Sequence, residues 1–176
     1  MKRVVDIAIA LPLLILTSPL MALAIVGIRL TSRGPGLFAQ TRLGRGAEPF
    51  QCYKLRTMQA GTASVPTHEV PAAAITPIGA FLRKYKIDEL PQLWNVLTGE
   101  MSLVGPRPCL PSQQDLVDRR QGLNVYSVRP GITGLAQIRA IDMSDPAECA
   151  NADAEYLAKA TGCLDAQILL RTLFRR

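Results

Sequence analysis

From Ile7 to Ile28 the chain carries no charged side chain, and this run constrains the fold more than any other feature. As a helix it extends roughly 33 Å, enough to cross a hydrocarbon core, and it is too long for most core helices. Three readings are open: a spanning helix, a cleaved signal peptide, and a helix that enters the bilayer, breaks and returns to the same face. Lys2 and Arg3 precede the run and Arg29 and Arg33 follow it, so both ends carry the basic residues that favour the cytoplasmic side. Pro19 has no amide to offer the carbonyl of Ile15 and its ring crowds that turn, so a break is expected at Ser18 and Pro19, with Pro12 a second point of kinking. The small residues Ala22 and Ala24 speak for a signal peptide, against a run longer than a usual signal core. The flanking charge favours the re-entrant reading: residues 1–33 as the membrane segment, and residues 34–176 as a cytosolic domain forming one unit with it.

A chain of 176 residues suits one domain around one core. Twenty Lys and Arg against fourteen Asp and Glu give a formal charge of +6, which favours polyanionic partners: nucleic acid, anionic lipid headgroups or phosphorylated substrates. Cys52, Cys109, Cys149 and Cys163 form no CxxC pair, and His68 is the one histidine, which excludes a Cys/His zinc site of ordinary spacing. All four cysteines read as reduced, in a cytosolic compartment.

Past the turn-rich Thr31 to Gly36, apolar runs at 37–39 and 50–55 suggest strands, the second delivering Lys54 and Arg56 to a surface. Residues 59–75, with His68, read as a mobile loop without a catalytic role. Thr76 and Pro77 mark a helix running to about Tyr85. A second helix start is expected at Asp88, with Leu90, Leu93, Trp94 and Leu97 as its core stripe and Gly99 as its end. An apolar strand-like run spans 102–111 and contains Pro106, Arg107 and Pro108. Helices follow at about 112–122 and 146–160, with a Gly- and Pro-punctuated stretch at 129–134 between them.

Asp88 and Glu89 are adjacent carboxylates at the expected helix start, where amides and the helix dipole favour negative charge. By themselves they read as an N-cap and a first-turn acid. Arg107, its backbone restricted by two prolines, suits bidentate contact with phosphate or an ion pair with a carboxylate. Lys54, Arg56, Arg83, Lys84 and Lys86 add positive charge nearby, and Arg129 to Gly134 offers close backbone approach with one more guanidinium.

These residues lie in longer blocks: RLGRGAEPFQCYKLRTM at 42–58, FLRKYKIDELPQLWNVLTGEMSLVGPRP at 81–108, VRPGITGLAQ at 128–137, Asp153 with Tyr156, and LDAQILLRTL at 164–173. With the Ser18 and Pro19 pair, they make the chain resemble the monotopic phosphoglycosyl transferases, bacterial sugar transferases that initiate surface-glycan and glycoprotein assembly. The resemblance implies an α+β fold: an N-terminal re-entrant helix-break-helix fused to a small, mainly helical head with short strands, at the cytoplasmic face of the inner membrane. It implies a magnesium-dependent transfer of a sugar 1-phosphate from a UDP-sugar to undecaprenyl phosphate, releasing UMP, as the first membrane step of glycoconjugate assembly. Asp88 would be the nucleophile that carries the phosphosugar. Glu89 would assist, both acids serving as metal ligands, and Lys54, Arg56, Arg83, Arg107, Arg129 and Asp153 would meet substrate or phosphate.

The expected partners are thus UDP-sugar, undecaprenyl phosphate and membrane lipid, not nucleic acid. The chain departs from the family pattern at Ala74, Leu135 and residues 138–142, positions bearing on donor contacts, where Arg139 is expected to supply a nearby guanidinium. It reads as a compact member without the extra spans of larger relatives. The rival reading from another class is a catalytically silent, membrane-anchored adaptor whose basic face binds anionic lipid.

Overall fold

The computed structural model describes residues 2–62 and 72–174; most of the mobile loop expected at 59–75, His68 included, lies outside the described residues. The chain opens with α1 (Lys2–Thr31), one helix that continues through Pro12 and Pro19. The expected break at Ser18 and Pro19 does not interrupt the helical hydrogen bonding, and the reason is local. The carbonyl of Ile15, deprived of its amide partner by Pro19, accepts from Ser18 Oγ at 2.8 Å, so the helix can bend at this serine and proline without leaving a carbonyl unpaired.

Both ends of α1 rest on the rest of the protein. At the start, Lys2 pairs with Asp165 at 2.5 Å, and Arg3 donates to the carbonyls of Val96 and Leu97. The Asp6 carboxylate is buried, accepting from Ser102 Oγ at 2.9 Å and from the Leu103 amide at 3.1 Å. At the far end, Ala24 and Ile28 join Leu55 and Leu82 in an apolar cluster. Packing there is close: a Cβ at Gly27 would lie 2.7 Å from Ile78 Cδ1, and the end of that side chain would have to turn aside. Between the ends, Leu16, Leu23 and Leu30 are among the most exposed apolar residues.

The head begins with an antiparallel hairpin, β1 (Leu37–Leu43) and β2 (Pro49–Leu55), with Leu37 opposite Leu55 and Arg42 opposite Phe50. Next comes α2 (Pro77–Lys84), whose first turn is capped as expected, Thr76 Oγ1 accepting from the Gly79 amide at 3.0 Å. The regular helix expected from Asp88 starts later, at α3 (Gln92–Thr98), with Pro91 in the capping position. Asp88 and Glu89 instead occupy a short 3₁₀ turn, Ile87–Glu89, entered through left-handed Lys86 (φ 59°). Asp88 is thus not the N-cap. The αL residue Gly99 (φ 93°) closes α3.

The strand-like run at 102–111 contributes only β3 (Ser102–Val104), because Pro106 and Pro108 remove two ladder donors. It pairs in parallel with β4 (Gly131–Thr133), so part of the expected turn at 129–134 is strand. Gly131 is required there, since a Cβ would lie 2.1 Å from the Gly105 amide nitrogen. The helices α4 (Gln114–Gly122) and α6 (Pro146–Lys159) match the expected ones closely, whereas α5 (Leu135–Ile138) and α7 (Gly162–Phe174) are additions. The main core joins Leu93, Val96, Met101, Val104, Tyr156 and Ile168, and includes Ala10 of α1. A second cluster packs Leu116 of α4 against Cys149, Ala150 and Ala152 of α6.

Candidate functional site

The left-handed Lys86 turns the chain between α2 and the 3₁₀ turn, bringing Asp88 and Glu89 to the wall of a cavity of about 410 Å³. Lys54 from β2, Arg83 from α2 and Arg107 from the Pro-Arg-Pro segment line the same cavity. Glu89 Oε1 accepts from Arg107 Nη2 at 2.6 Å and from Lys54 Nζ at 3.1 Å. Burial by itself raises the Glu89 carboxyl, but Arg107 and Lys54 outweigh it and hold the group well below the usual carboxylate range. The same contact raises Arg107, chiefly through the charge of Glu89, while burial lowers Lys54 against the pull of Glu89.

Asp88 has a different environment. It is buried, and no described lysine or arginine forms an ion pair with it within 4 Å. Burial raises its carboxyl above the usual value, with the like charge of Glu89 adding to the shift. A carboxylate that is desolvated and not neutralised by a close partner is more reactive toward an electrophile than one held by two cations. The two adjacent acids therefore differ in kind.

The remaining expected site residues divide. Arg83 donates from Nε to Thr57 Oγ1 at 2.8 Å, with its side chain on the cavity. Arg56 also lines the cavity, but its guanidinium is largely committed to the exit of α1, donating to Arg33 O at 2.6 Å and to Ser32 O and Oγ at 3.0 and 2.8 Å. Arg129 is not among the lining residues, and its Nε donates to Gly99 O at 2.7 Å. Asp153 is likewise absent from the lining: it is 1% exposed and takes both Nε and Nη2 of Arg120 on Oδ2, at 3.0 and 2.6 Å. The direct substrate contacts expected of Arg129 and Asp153 are not shown by this geometry, in which each side chain is engaged elsewhere. Arg139, expected to supply a nearby guanidinium, instead pairs on the surface with Glu155 at 2.5 Å.

Three charged residues escaped the reading from sequence. Arg42, buried on β1, lines both the main cavity and a neighbouring one of about 320 Å³ that shares Lys86 and Arg107. Its place opening the 42–58 block was the available signal. Arg120 and Asp6 carried none, because a single charge within a helix reads as solvated until its partner is known. Beside the cavity runs an apolar trough of about 560 Å³ between α1 and the hairpin, and Phe38 and Leu55 line both. Among its lining side chains Ser18 has its hydroxyl spent on Ile15 O.

Among the described residues no three His, Cys, Asp or Glu side chains cluster to hold a metal by themselves. Two adjacent carboxylates, with Glu89 Oε1 committed to cations, nevertheless suit magnesium, which commonly takes one or two carboxylates and completes its shell with substrate phosphate and water.

The model of a family described as bacterial sugar transferase matches residues 1–176. The UDP-glucose:undecaprenyl-phosphate glucose-1-phosphate transferase of Caulobacter vibrioides is 41% identical over 181 residues, covering 98% of this chain and 68% of its own length. The UDP-N-acetylgalactosamine-undecaprenyl-phosphate N-acetylgalactosaminephosphotransferase of Aeromonas hydrophila is 38% identical, with 98% of this chain and 42% of its own length covered. The UDP-glucose:undecaprenyl-phosphate glucose-1-phosphate transferase of Escherichia coli is 36% identical over 99% of this chain and 40% of its own length. The chain thus spans less than half the length of the latter two.

Proposed function

The chain belongs to the bacterial sugar transferase family, and from that membership we propose that it moves a sugar 1-phosphate from a UDP-sugar to undecaprenyl phosphate through a phosphosugar held on Asp88. The observation that carries this reading is the contrast within the acid pair: Glu89 is paired with Lys54 and Arg107, while Asp88 forms no ion pair within 4 Å among the described residues, and Lys54 and Arg83 only partly offset its burial.

In the first step an Asp88 carboxylate oxygen attacks the sugar-bearing phosphorus. A P–O bond forms to Asp88, the pyrophosphate link breaks, and UMP leaves with the bridging oxygen. Arg107 and Arg83 bind phosphate oxygens, Arg107 exchanging part of its bond to Glu89 for them. In the second step the phosphate of undecaprenyl phosphate attacks the same phosphorus, restoring the Asp88 carboxylate and giving undecaprenyl-diphosphate-sugar. Splitting the transfer lets a soluble donor and a lipid acceptor use one site in turn. Magnesium bound by Asp88 and Glu89 would supply charge neutralisation at the phosphates.

The membrane assignment follows from α1. One long apolar helix is present, and both of its ends contact the same head through Lys2, Arg3 and Asp6 on one side and Ala24 and Ile28 on the other. We take α1 to enter the inner membrane without crossing it, with both ends and the head on the cytoplasmic face. The trough beside α1 gives the polyprenyl chain a route from the bilayer to the cavity. An adaptor that only binds lipid has no use for a buried, unneutralised Asp88.

The test is a single-turnover assay without lipid acceptor. Protein given magnesium and each of a panel of UDP-sugars should release UMP up to its own molar amount and gain the mass of one phosphosugar. Added undecaprenyl phosphate should then discharge the adduct. UMP release that strictly requires the lipid, with no adduct trapped at any time, would replace the two-step route by direct displacement.

A further inference from the structure

The Pro-Arg-Pro segment has little hydrogen bonding of its own, since Pro106 and Pro108 carry no amide proton. Four consecutive carbonyls are instead held by donors from three parts of the chain, β1, α4 and β4. Pro106 O accepts from the Gly131 amide at 2.8 Å, and Cys109 O from the Leu43 amide at 3.0 Å. Pro108 O accepts from Arg42 Nη1 at 2.8 Å. Arg107 O, on the residue whose side chain enters the cavity, accepts from Arg120 Nη1 at 2.9 Å.

Arg120 is 1% exposed and serves two partners at once. Its Nε and Nη2 grip Asp153 Oδ2 while Nη1 reaches the Arg107 carbonyl. The guanidinium plane is fixed by Asp153, so the carboxylate on α6 sets where the donor to Arg107 O points. Cys149 Sγ, 3.7 Å from Arg120 Nη2, closes the remaining side. An ion pair needed only to join α4 to α6 has no need of the third bond to a loop outside both helices.

We propose that Arg120 and Asp153 are positioning residues for Arg107: they hold its main chain so that the guanidinium reaches Glu89 and the cavity, although neither touches substrate. This rests on Arg107 as the phosphate-binding arginine of the reading above. Its consequence is that the charge on Asp153 matters to turnover through geometry alone.

The experiment uses full-length protein in lipid nanodiscs, labelled with ¹⁵N-arginine, with the Arg107 guanidinium signal assigned through Arg107→Lys. Two variants are compared with wild type. Arg120→Met combined with Asp153→Leu removes both charges while keeping an apolar fill, the kind of replacement that leaves a buried pair's packing intact. Arg120→Lys keeps a cation beside Asp153 but has a single-point head that cannot hold carboxylate and carbonyl in one plane.

Each folded variant should shift or broaden the Arg107 signal and lower kcat/KM for UMP release by roughly ten- to a hundredfold, as small misplacements of binding groups do. A wild-type Arg107 signal with wild-type turnover in either folded variant would reduce the pair to a helix clamp and overturn the proposal. If the apolar pair does not fold, Arg120→Lys decides alone by the same two outcomes. Should wild type itself release no UMP, the transferase reading fails, while the Arg107 signal still decides the positioning role.

Discussion

Arg107 donates from Nη2 to Glu89 Oε1 at 2.6 Å, and Lys54 approaches the same oxygen at 3.1 Å. Two cations thus converge on one carboxylate while its sequence neighbour Asp88 has none within ion-pair distance among the described residues. The pair holds the Arg107 guanidinium at the cavity wall, while at Asp88 the pull of Lys54 and Arg83 falls short of the cost of burial.

Glu89 raises the Asp88 carboxyl, second to burial. Asp88 must be ionised to attack, so the rate of adduct formation rises with pH through its pKa. Glu89→Gln removes the like charge, which lowers that pKa. The acid limb of the single-turnover UMP profile should therefore move to lower pH, even as the maximum rate falls. An acid limb left in place would mean that it reports some other group.

Asp88→Asn should form no adduct and release no UMP, yet be more stable than wild type at neutral pH. The folded-state carboxyl of Asp88 is raised by burial, so its favourable contribution is present below the unfolded carboxylate pKa and is lost as pH rises through the folded value. The amide never acquires the buried charge. Its advantage in unfolding temperature should grow with pH across that window, by about 2–4 °C for each kcal/mol of stabilisation in a chain of this size. A variant that melts below wild type at pH 7 would show Asp88 to be structural.

Lys2→Cys and Arg33→Cys, each in a Cys163→Ser background that removes the exposed native thiol, should both resist a membrane-impermeant thiol reagent applied from the periplasm and react in inverted vesicles. The Lys2 pair with Asp165 is partly exposed, with side-chain exposures of 45% and 18%, so its loss costs little. Labelling of either position from the periplasm would make α1 a spanning helix.

Asp6→Ala should lower the unfolding temperature more than a substitution on the exposed face of α1, such as Leu16→Ala. The buried Ser102 hydroxyl and Leu103 amide lose their acceptor, at a cost of about 1–3 kcal/mol for each orphaned group. Asp6→Asn keeps an acceptor oxygen and should recover part of the loss. Equal melting of Asp6→Ala and wild type would show that α1 is not pinned there.

The elements legible in the sequence were those with a local cause. Thr76 and Pro77 announced α2 because a hydroxyl cap and an N1 proline act within one turn. The core stripe was legible from its spacing for Leu90, Leu93 and Leu97, but Trp94, expected with them, is exposed and lines the apolar trough, and Pro91 displaced the regular start of α3 from Asp88 to Gln92. The expected break at Ser18 and Pro19 does not appear as an interruption of α1, for an equally local reason: the serine hydroxyl satisfies the carbonyl that the proline abandons. Asp153 was legible as a residue of consequence but not in its contact, because its family block says nothing about Arg120.

By itself the sequence determined that a helix with an uncharged run from Ile7 to Ile28 lies near the start of the chain and that an acid pair, a basic strand end and a proline-flanked arginine accompany it, because each is a property of neighbouring residues. The tertiary structure alone decided which carboxylate is neutralised, what Asp153 holds and where Asp6 is buried. Those outcomes depend on partners 35 residues apart for Lys54 and Glu89, 33 for Arg120 and Asp153, and 96 for Asp6 and Ser102. Charge pairing at such separations follows from how the hairpin, α4, α6 and α1 pack, and no local spacing encodes it.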